Sequence, residues 1–200
     1  MDKQMEALAQ AMAPGRKTVF FGGAGVSTES GIPDFRSAGG IYGRQYAYPP
    51  EVMVSHSFFM AHPDEFYEFY RREMVWPRAK PNAAHIRLAE LEAEGRVTAV
   101  VTQNIDGLHQ MAGSKNVLEL HGSIHRNRCM RCGRKFGLEA ILTTDGVPRC
   151  ECGGIIKPEV VLYEEELDPR TLTAAVDAIS QADTLLIAGT SLAVYPAAGL

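Results

Sequence analysis

The feature that most limits the fold of this chain is its alternation of short apolar runs with segments of helical periodicity. Helices are predicted at residues 2–12, 64 to about 75, 83–94 and 168–181. Strands that alternate with helices predict an α/β fold, a Rossmann-like parallel sheet with helices on both faces. The apolar runs that predict its strands occupy residues 17–21, 97–102, 117–120, 160–163 and 184–188.

Two segments interrupt this alternation. Residues 37–56 contain Gly, Pro, Tyr and Ser without clear periodicity and are predicted to form a long loop, of the kind that often covers a functional site. This loop and the helical segment after it form a predicted insert at residues 37–80. Residues 122–157 form a second one. The chain is predicted to be one domain, residues 1–200, whose sheet-forming part comprises residues 17–121 and 158–200.

The second insert contains all four cysteines of the chain, Cys129, Cys132, Cys150 and Cys152. They form a Cys-x2-Cys pair and a Cys-x-Cys pair. Four thiolates at such spacing are typical of a tetrahedral zinc site that is structural rather than catalytic. The alternatives are four idle thiols or a redox pair. We predict one structural Zn²⁺ per chain in this insert.

Charge and hydropathy argue against several classes of protein. The formal net charge is −4, whereas a general nucleic-acid binder carries a basic surface. No apolar run approaches the ~20 residues of a membrane helix, and the N-terminal residues lack the pattern of a secretory signal. We therefore expect a cytoplasmic protein that binds neither membranes nor nucleic acids. One basic segment, residues 126–135, is interpreted as a solvated face, with a docking surface for an acidic partner as the alternative.

Polar residues follow four of the predicted strands at their carboxyl ends, the edge at which open α/β sheets bind ligands. Gly23 and Gly25 follow the first strand and would let the backbone approach a pyrophosphate closely. No acidic residue clearly takes the ribose-binding position of a dehydrogenase, which favours nucleotide binding without hydride transfer. Gln103, Asn104 and Asp106 follow the strand at residues 97–102, and His121 follows the strand at residues 117–120. Gly189, Thr190 and Ser191 follow the strand at residues 184–188.

His121 is the candidate general base, because a histidine at the end of a buried strand would face a bound ligand with a near-neutral pKa. His125 lies close by and is the rival candidate. His85 and His109 are interpreted as structural residues. No side-chain nucleophile with a partnered base is evident in the sequence.

A set of motifs follows one another along the chain: residues 23–36, 102–109, 120–122, the four cysteines, residues 157–161 and residues 189–192. Together, in this order and over about residues 17–200, they resemble the sirtuin family of NAD-dependent protein lysine deacylases. The resemblance implies that NAD is consumed. The acetyl-lysine carbonyl oxygen would attack the ribose carbon, nicotinamide would leave, an alkylamidate would form, and His121 would activate a ribose hydroxyl as general base. The products would be deacetylated lysine, nicotinamide and O-acetyl-ADP-ribose.

The resemblance also assigns roles to individual residues. Asn104 would help to order ribose and water, and would join His121 as a catalytic residue. The strand-like run Val160, Val161, Leu162 and Tyr163 would pair with the substrate peptide as an added strand. The implied contacts with NAD come from Gly23, Ala24, Gly25, Thr28, Asp34, Phe35, Arg36, Gln103, Asn104, Ile105, Asp106, His121, Gly189, Thr190 and Ser191.

Three departures from the family pattern bear on substrate and stability. Glu164 stands where the family usually has glycine, which alters the substrate edge. Tyr67-x-x-Tyr70-Arg71 does not reproduce the Tyr-x-x-Arg pair of members that prefer acidic acyl groups, so deacetylation is expected, with succinyl or malonyl removal left open. The chain stops at Leu200, where family members continue, and from this we expect weakened NAD binding and marginal stability.

The expected partners are acetylated lysine-containing proteins or peptides, and the protein is expected to act as a monomer. Two alternatives stay open. One is an ADP-ribosyltransferase that uses the same site on a protein acceptor, and the other is a weakly catalytic module that binds NAD or acyl-lysine. The complete glycine loop, together with Asn104, Asp106 and His121, favours an enzyme that turns over.

Overall fold

The computed structural model describes residues 3–200 and contains two sheets. The larger sheet has four parallel strands in the order β3-β2-β1-β7, and the smaller one has three antiparallel strands in the order β5-β4-β6. The predicted α/β fold is therefore confirmed. The strands are β1 (Thr18–Gly22), β2 (Val97–Thr102), β3 (Val117–Glu119), β4 (Gly122–Cys129), β5 (Lys135–Phe136), β6 (Ile156–Val160) and β7 (Thr184–Ala188).

Helices cover both faces of the parallel sheet. Successive residues of a strand point to opposite faces. Accordingly, Val19 and Phe21 of β1 share a core cluster with Ala175, whereas Phe20 between them shares another with Leu88. Ala175 and Leu88 belong to the two longest helices, α8 and α5. The helices are α1 (Lys3–Ala11), α2 (Pro50–Met53), α3 (His56–Ala61), α4 (Pro63–Phe69), α5 (Ala83–Ala93), α6 (Leu108–Ala112), α7 (Glu139–Leu142) and α8 (Pro169–Ser180).

The four helices predicted from periodicity are confirmed within a few residues at each end. The predicted start of the first, at residue 2, lies outside the described residues. Asn82 caps α5 by accepting from the amide of Ala84, and Asp168 caps α8 by accepting from the amide of Thr171 at 2.9 Å. The helix predicted at residues 64–75 consists of α4 and a π-helical segment, Tyr70–Met74.

The prediction of an irregular loop over residues 37–56 is wrong in part. This segment contains a 3₁₀ turn, Ile41–Gly43, as well as α2 and the first residue of α3. Ser55 starts α3 by accepting from the amide of Phe58. Elements of three to six residues are too short to show a hydrophobic period, so periodicity missed them.

The strand predicted at residues 160–163 is also wrong in position. The strand is β6, five residues that end at Val160, and it pairs with β4 of the small sheet rather than with the parallel sheet. β6 contains Pro158, which lacks an amide hydrogen. It is accommodated because β6 is an edge strand, where a donor can be missing. The small sheet thus extends to Val160. The division of the chain into a sheet-forming part and an insert at residues 122–157 stays a prediction.

The small sheet and the helical insert share one hydrophobic core. Phe59, Phe66 and Tyr70 are almost fully buried in the same cluster as Ile141 and Ile156. This cluster packs as a second unit beside the parallel sheet, so the two inserts support each other. Within residues 3–200, no helix is long and apolar enough to cross a membrane.

Gly122 joins the two units, since it lies directly after the parallel sheet and begins β4. Its φ is 75°, and a Cβ at this position would overlap the backbone carbonyl of Glu159. We expect Gly122→Ala to lower the free energy of unfolding by about 2 kcal/mol or more, because the left-handed conformation and the overlap both oppose a side chain. Urea denaturation measures the change.

The matched control for this substitution is Gly39→Ala. Gly39 has no positive φ, and a Cβ added there would meet no atom within 4 Å, so its unfolding midpoint should stay close to that of the wild type. Equal midpoints for the two variants would contradict the constraint at Gly122.

Candidate active site

A cleft of about 290 Å³ lies at the carboxyl ends of β1, β2 and β7. It is bounded on one side by the loops that follow these strands and on the other by residues of the second unit. All but one of the predicted NAD contacts line this cleft, as do Val160, Val161, Leu162 and Tyr163. The exception is Thr28, whose hydroxyl donates to the carbonyl of Gly25 at 3.0 Å. The structure thus brings the predicted NAD and peptide residues to one place.

The floor of the cleft is a close contact between the loops after β1 and β7. The amide of Gly25 donates to the carbonyl of Gly189 at 2.8 Å. Gly189 has a φ of 63°, and a Cβ there would overlap the backbone of Val26, while a Cβ on Gly23 would lie 2.8 Å from the Gly189 carbonyl oxygen. Only glycines allow the two backbones this approach, and the surface that results is bare backbone to which a pyrophosphate can come close.

Ser27 connects two of the predicted site residues. Asn104 Nδ2 donates to Ser27 Oγ at 3.0 Å, and Ser27 Oγ donates to Asp106 Oδ2 at 2.7 Å. The sequence reasoning missed Ser27 because its role depends on contacts with residues more than 70 positions away. Its place inside the glycine loop, two residues after Gly25, was the available signal.

Two buried histidines lie behind this network. His85 accepts from the amide of Asn82 at Nδ1, 3.3 Å, so its Nε2 carries the hydrogen and faces Ser27 Oγ at 3.5 Å. His109 packs against the ring of His85, with 4.7 Å between centroids, and burial lowers the pKa of His109 to about 4. Burial also lowers the pKa of His85, so both rings are neutral at pH 7. They lie in the interior, as their interpretation as structural residues required.

His121 presents one ring nitrogen to the cleft. Its Nδ1 lies 3.0 Å from the carbonyl oxygen of Gln103, which can only accept, so Nδ1 carries the hydrogen and Nε2 has a free lone pair. Burial lowers the pKa of His121 below its usual 6.5, and the bond to Gln103 opposes this only in part. The ring is neutral at pH 7, as a general base must be. The rival, His125, lies 3.0 Å from the carbonyl of Asp106 through Nε2 and does not line the cleft.

The Phe35 segment, residues 34–46, forms one wall of the cleft. The Asp34 carboxylate accepts from the amides of Arg36 and Ser37, and the Ser37 bond is the main cause of its lowered pKa. Farther along, Arg44 forms an ion pair of 2.6 Å with Glu73, whose side chain is buried. This segment is thus folded on itself by Asp34 and tied to the helical insert by Arg44.

The edge segment, residues 160–165, forms the facing wall. It is held by backbone bonds on two sides, from Val161 N to His121 O and from Tyr163 N to Val54 O. Glu164, at the position of the expected glycine, has a φ of 75°. Its carboxylate accepts from Ser57 N at 2.8 Å and Ser57 Oγ at 2.9 Å, so the side chain stabilises a conformation that glycine would adopt freely.

The four cysteine Sγ atoms lie within 4.8 Å of one another. Cys129 and Cys152 are 3.4 Å apart, and Cys132 and Cys150 are 3.7 Å apart. A tetrahedral zinc with Zn–S bonds of about 2.3 Å places thiolates about 3.8 Å apart. The cluster therefore fits a structural zinc site, and none of its cysteines lines the cleft.

The basic segment at residues 126–135 is largely neutralised. Arg126 pairs with Glu119 at 2.7 Å, and Arg128 pairs with Glu159 at 2.6 Å. Arg134 pairs with Glu151. These pairs agree with the interpretation of a solvated face.

The comparisons with known proteins agree with one another. The model of the Sir2 family matches residues 23–196. An NAD-dependent protein deacetylase of Clostridium acetobutylicum is 59% identical over 204 residues, which cover 100% of this chain and 83% of that protein. One of Cutibacterium acnes is 59% identical over 197 residues, covering 98% of this chain and 81% of that protein.

Solved structures show the same likeness. A Sir2 with a deacetylated p53 peptide and 3′-O-acetyl ADP ribose has a TM-score of 0.89 and 43% identity, covering 97% of this chain and 79% of that one. A Sir2 bound to an acetylated peptide has a TM-score of 0.85 and 40% identity, covering 99% and 79%.

The zinc site leads to a prediction about stability. We expect about one zinc per chain in the purified protein and its loss in Cys132→Ser, together with a lower melting temperature, because the ion crosslinks the two ends of the insert. Metal analysis and calorimetry measure both quantities. Met130→Ser is the control, since Met130 is exposed beside the cluster but supplies no thiolate. Full zinc content in Cys132→Ser would contradict the four-cysteine site.

Proposed function

The chain belongs to the Sir2 family, and we propose that it is an NAD-dependent protein lysine deacetylase. It cleaves NAD and transfers the acetyl group of an acetyl-lysine to ADP-ribose, giving nicotinamide, O-acetyl-ADP-ribose and the free lysine. The observation that carries this proposal is the open Nε2 of His121 in a cleft that the glycine loops and the edge segment both line. The relatives named as deacetylases support the choice of reaction.

The glycine floor and the Ser27 network have separate tasks in binding NAD. Gly25 and Gly189 offer the pyrophosphate a surface without side chains, where backbone can approach the phosphates closely. Asn104 and Asp106 are each fixed by Ser27, so their remaining polar groups are oriented before a ligand arrives. Bound NAD would supply the glycosidic bond that is broken, and Phe35, which lines the cleft, would cover the reacting ribose and limit the return of nicotinamide.

His121 acts on the proton of a ribose hydroxyl. Its neutral Nε2 accepts that proton, and the imidazolium that results keeps its Nδ1 hydrogen bond to the carbonyl of Gln103. The partial negative charge of that oxygen stabilises the charged ring. That carbonyl belongs to the backbone of Gln103, whose amide donates to the carbonyl of Gly22 at 2.9 Å, so the partner of the base is held by the end of β1.

The lysine substrate reaches the cleft along the edge segment. Most backbone groups of residues 161–163 already have partners, because Leu162 N donates to Glu165 and Tyr163 O accepts from His56 N. Within residues 3–200, Val161 C=O and the N–H and C=O of Glu164 lack backbone partners in the fold. We propose these as the groups with which an extended peptide pairs.

The preference for a neutral acyl group is supported by the position of Arg71. Its guanidinium donates to the carbonyls of Ile141 and Gly146, away from the cleft. An acidic acyl group would need a cation close to it in the cleft, and Arg71 does not line the cleft. We further propose that the protein acts as a cytoplasmic monomer on acetylated proteins, without nucleic-acid or membrane partners, in keeping with its net charge of −4.

His121→Ala tests the proposal directly. We expect formation of O-acetyl-ADP-ribose to fall by about a hundredfold or more, because proton transfer by a positioned base contributes at least that much. Nicotinamide exchange should fall less, since nicotinamide leaves before the base acts. Mass spectrometry of a reaction with NAD and an acetyl-lysine peptide measures the products. Equal rates for both proteins would exclude His121 as the base, and ADP-ribosylated protein without O-acetyl-ADP-ribose would identify a transferase instead.

The pH dependence follows from the lowered pKa of His121. The active form is neutral, so activity is present above this pKa and is lost as pH falls through it. The midpoint of the acidic limb of kcat/KM should therefore lie below 6.5. Rates measured from about pH 5 to 8, with circular dichroism to confirm the fold, give this midpoint. A midpoint above 7 would contradict a base desolvated by burial.

A further inference from the structure

The Phe35 segment and the edge segment meet at a pair of tyrosine hydroxyls. Tyr42 Oη and Tyr163 Oη lie 3.1 Å apart, although 121 positions separate the residues. In the described part of the chain, no other hydrogen bond joins these two segments. One polar contact thus connects the two walls of the cleft.

Tyr42 contacts Phe35, the residue proposed to cover the reacting ribose of NAD. Its amide donates to the carbonyl of Phe35 at 2.8 Å, and its ring packs edge-on against the Phe35 ring at 5.4 Å. The guanidinium of Arg36 lies over the other part of the Tyr42 ring, 5.4 Å from its centroid. A displacement of Tyr42 therefore displaces Phe35 and Arg36 with it.

Tyr163 is held by backbone bonds and lies next to Glu164, whose backbone groups are proposed to pair with the peptide. Its amide and carbonyl both bond to the chain around Ser55, through Val54 O and His56 N at 3.0 Å each. The next residue, Glu164, is held by Ser57 and carries the backbone groups proposed for peptide pairing. A peptide that seats on Glu164 thus acts on a residue next to Tyr163.

Partial burial of Tyr42 favours the hydrogen bond between the two tyrosine hydroxyls. The Tyr42 side chain is half-buried, and burial together with the Tyr163 bond raises the pKa of Tyr42. One hydroxyl donates to the other, and separation would leave the half-buried hydroxyl of Tyr42 without this partner.

We infer that Tyr42 and Tyr163 are positioning residues that couple the peptide and NAD halves of the site. The inference rests on the proposed function. A peptide that orders the edge segment holds Tyr163 in place, and Tyr163 then favours the arrangement of Tyr42 and Phe35 that binds the ribose. Linkage makes the effect reciprocal, so bound nucleotide tightens peptide binding by the same factor.

The test measures binding without turnover. ADP-ribose has no nicotinamide to lose, so calorimetry gives its affinity with and without a saturating acetyl-lysine peptide. The wild type should bind ADP-ribose more tightly when the peptide is present. Tyr42→Phe and Tyr163→Phe should each reduce this ratio by about two- to tenfold, the worth of one hydrogen bond. The double variant should resemble either single one, because both remove the same contact.

Tyr48→Phe is the matched control. Tyr48 is a partly exposed tyrosine of the same insert, its ring packs on Phe58, and it does not line the cleft. Its ratio should equal that of the wild type. Steady-state rates provide a second readout: Tyr42→Phe should raise KM for NAD at saturating peptide while kcat changes little.

The outcomes separate this inference from the proposed function. A wild type that releases nicotinamide normally but binds ADP-ribose equally with and without peptide would overturn the inference alone. So would variants with unchanged ratios, or a double variant that loses the sum of the two single effects. A wild type that forms no O-acetyl-ADP-ribose would overturn the proposed function, whatever the binding ratios.

Discussion

The close contact of Gly25 with Gly189 is the constraint on which the site depends. β1 and β7 are neighbours in a parallel sheet, so the loops after them leave the same edge side by side. Without Cβ atoms these loops touch, and Thr190 then lies within 2.9 Å of the Gln103 side chain at the end of β2. The carbonyl of Gln103 in turn fixes the tautomer of His121. Gln103 thus contacts the loop after β7 through its side chain and the catalytic base through its backbone carbonyl.

The second unit supplies what the parallel sheet lacks. A sheet edge offers a surface for the nucleotide but no opposite wall, and the helical insert and small sheet provide this wall from their common core. The edge segment begins in that unit, and the amide of Val161 donates to the backbone carbonyl of His121. The segment proposed to bind the peptide therefore contacts the residue that serves as the base. Glu164 shows how a side chain can replace glycine here, since its bonds to Ser57 offset the cost of a positive φ.

The sequence was sufficient for the parts of the fold that local patterns determine. The strands around Val19, Val100 and Leu186 are apolar runs, and the polar residues at their ends predicted the cleft. The strand at residues 160–163 was misplaced, because an apolar run does not show which sheet it joins, and the pairing of β6 with β4 is a property of the assembled structure. Ser27 was missed for a related reason, since its importance comes from Asn104 and Asp106, which approach it only after β1 and β2 pair.

The network around Ser27 shows how burial turns a small hydroxyl into an orienting group. Ser27 Oγ accepts from Asn104 and faces the N–H of His85, so its own hydrogen is directed to Asp106 Oδ2. The other oxygen, Oδ1, accepts from the amide of Leu108. Both carboxylate oxygens therefore accept a hydrogen bond before any ligand binds, and rotation of the Asn104 side chain would break its bond to the buried Ser27 hydroxyl. A neutral His85 matters in this arrangement, because an imidazolium would be a buried charge beside the site. The interior histidines thus belong to the architecture of the cleft, although they do not line it.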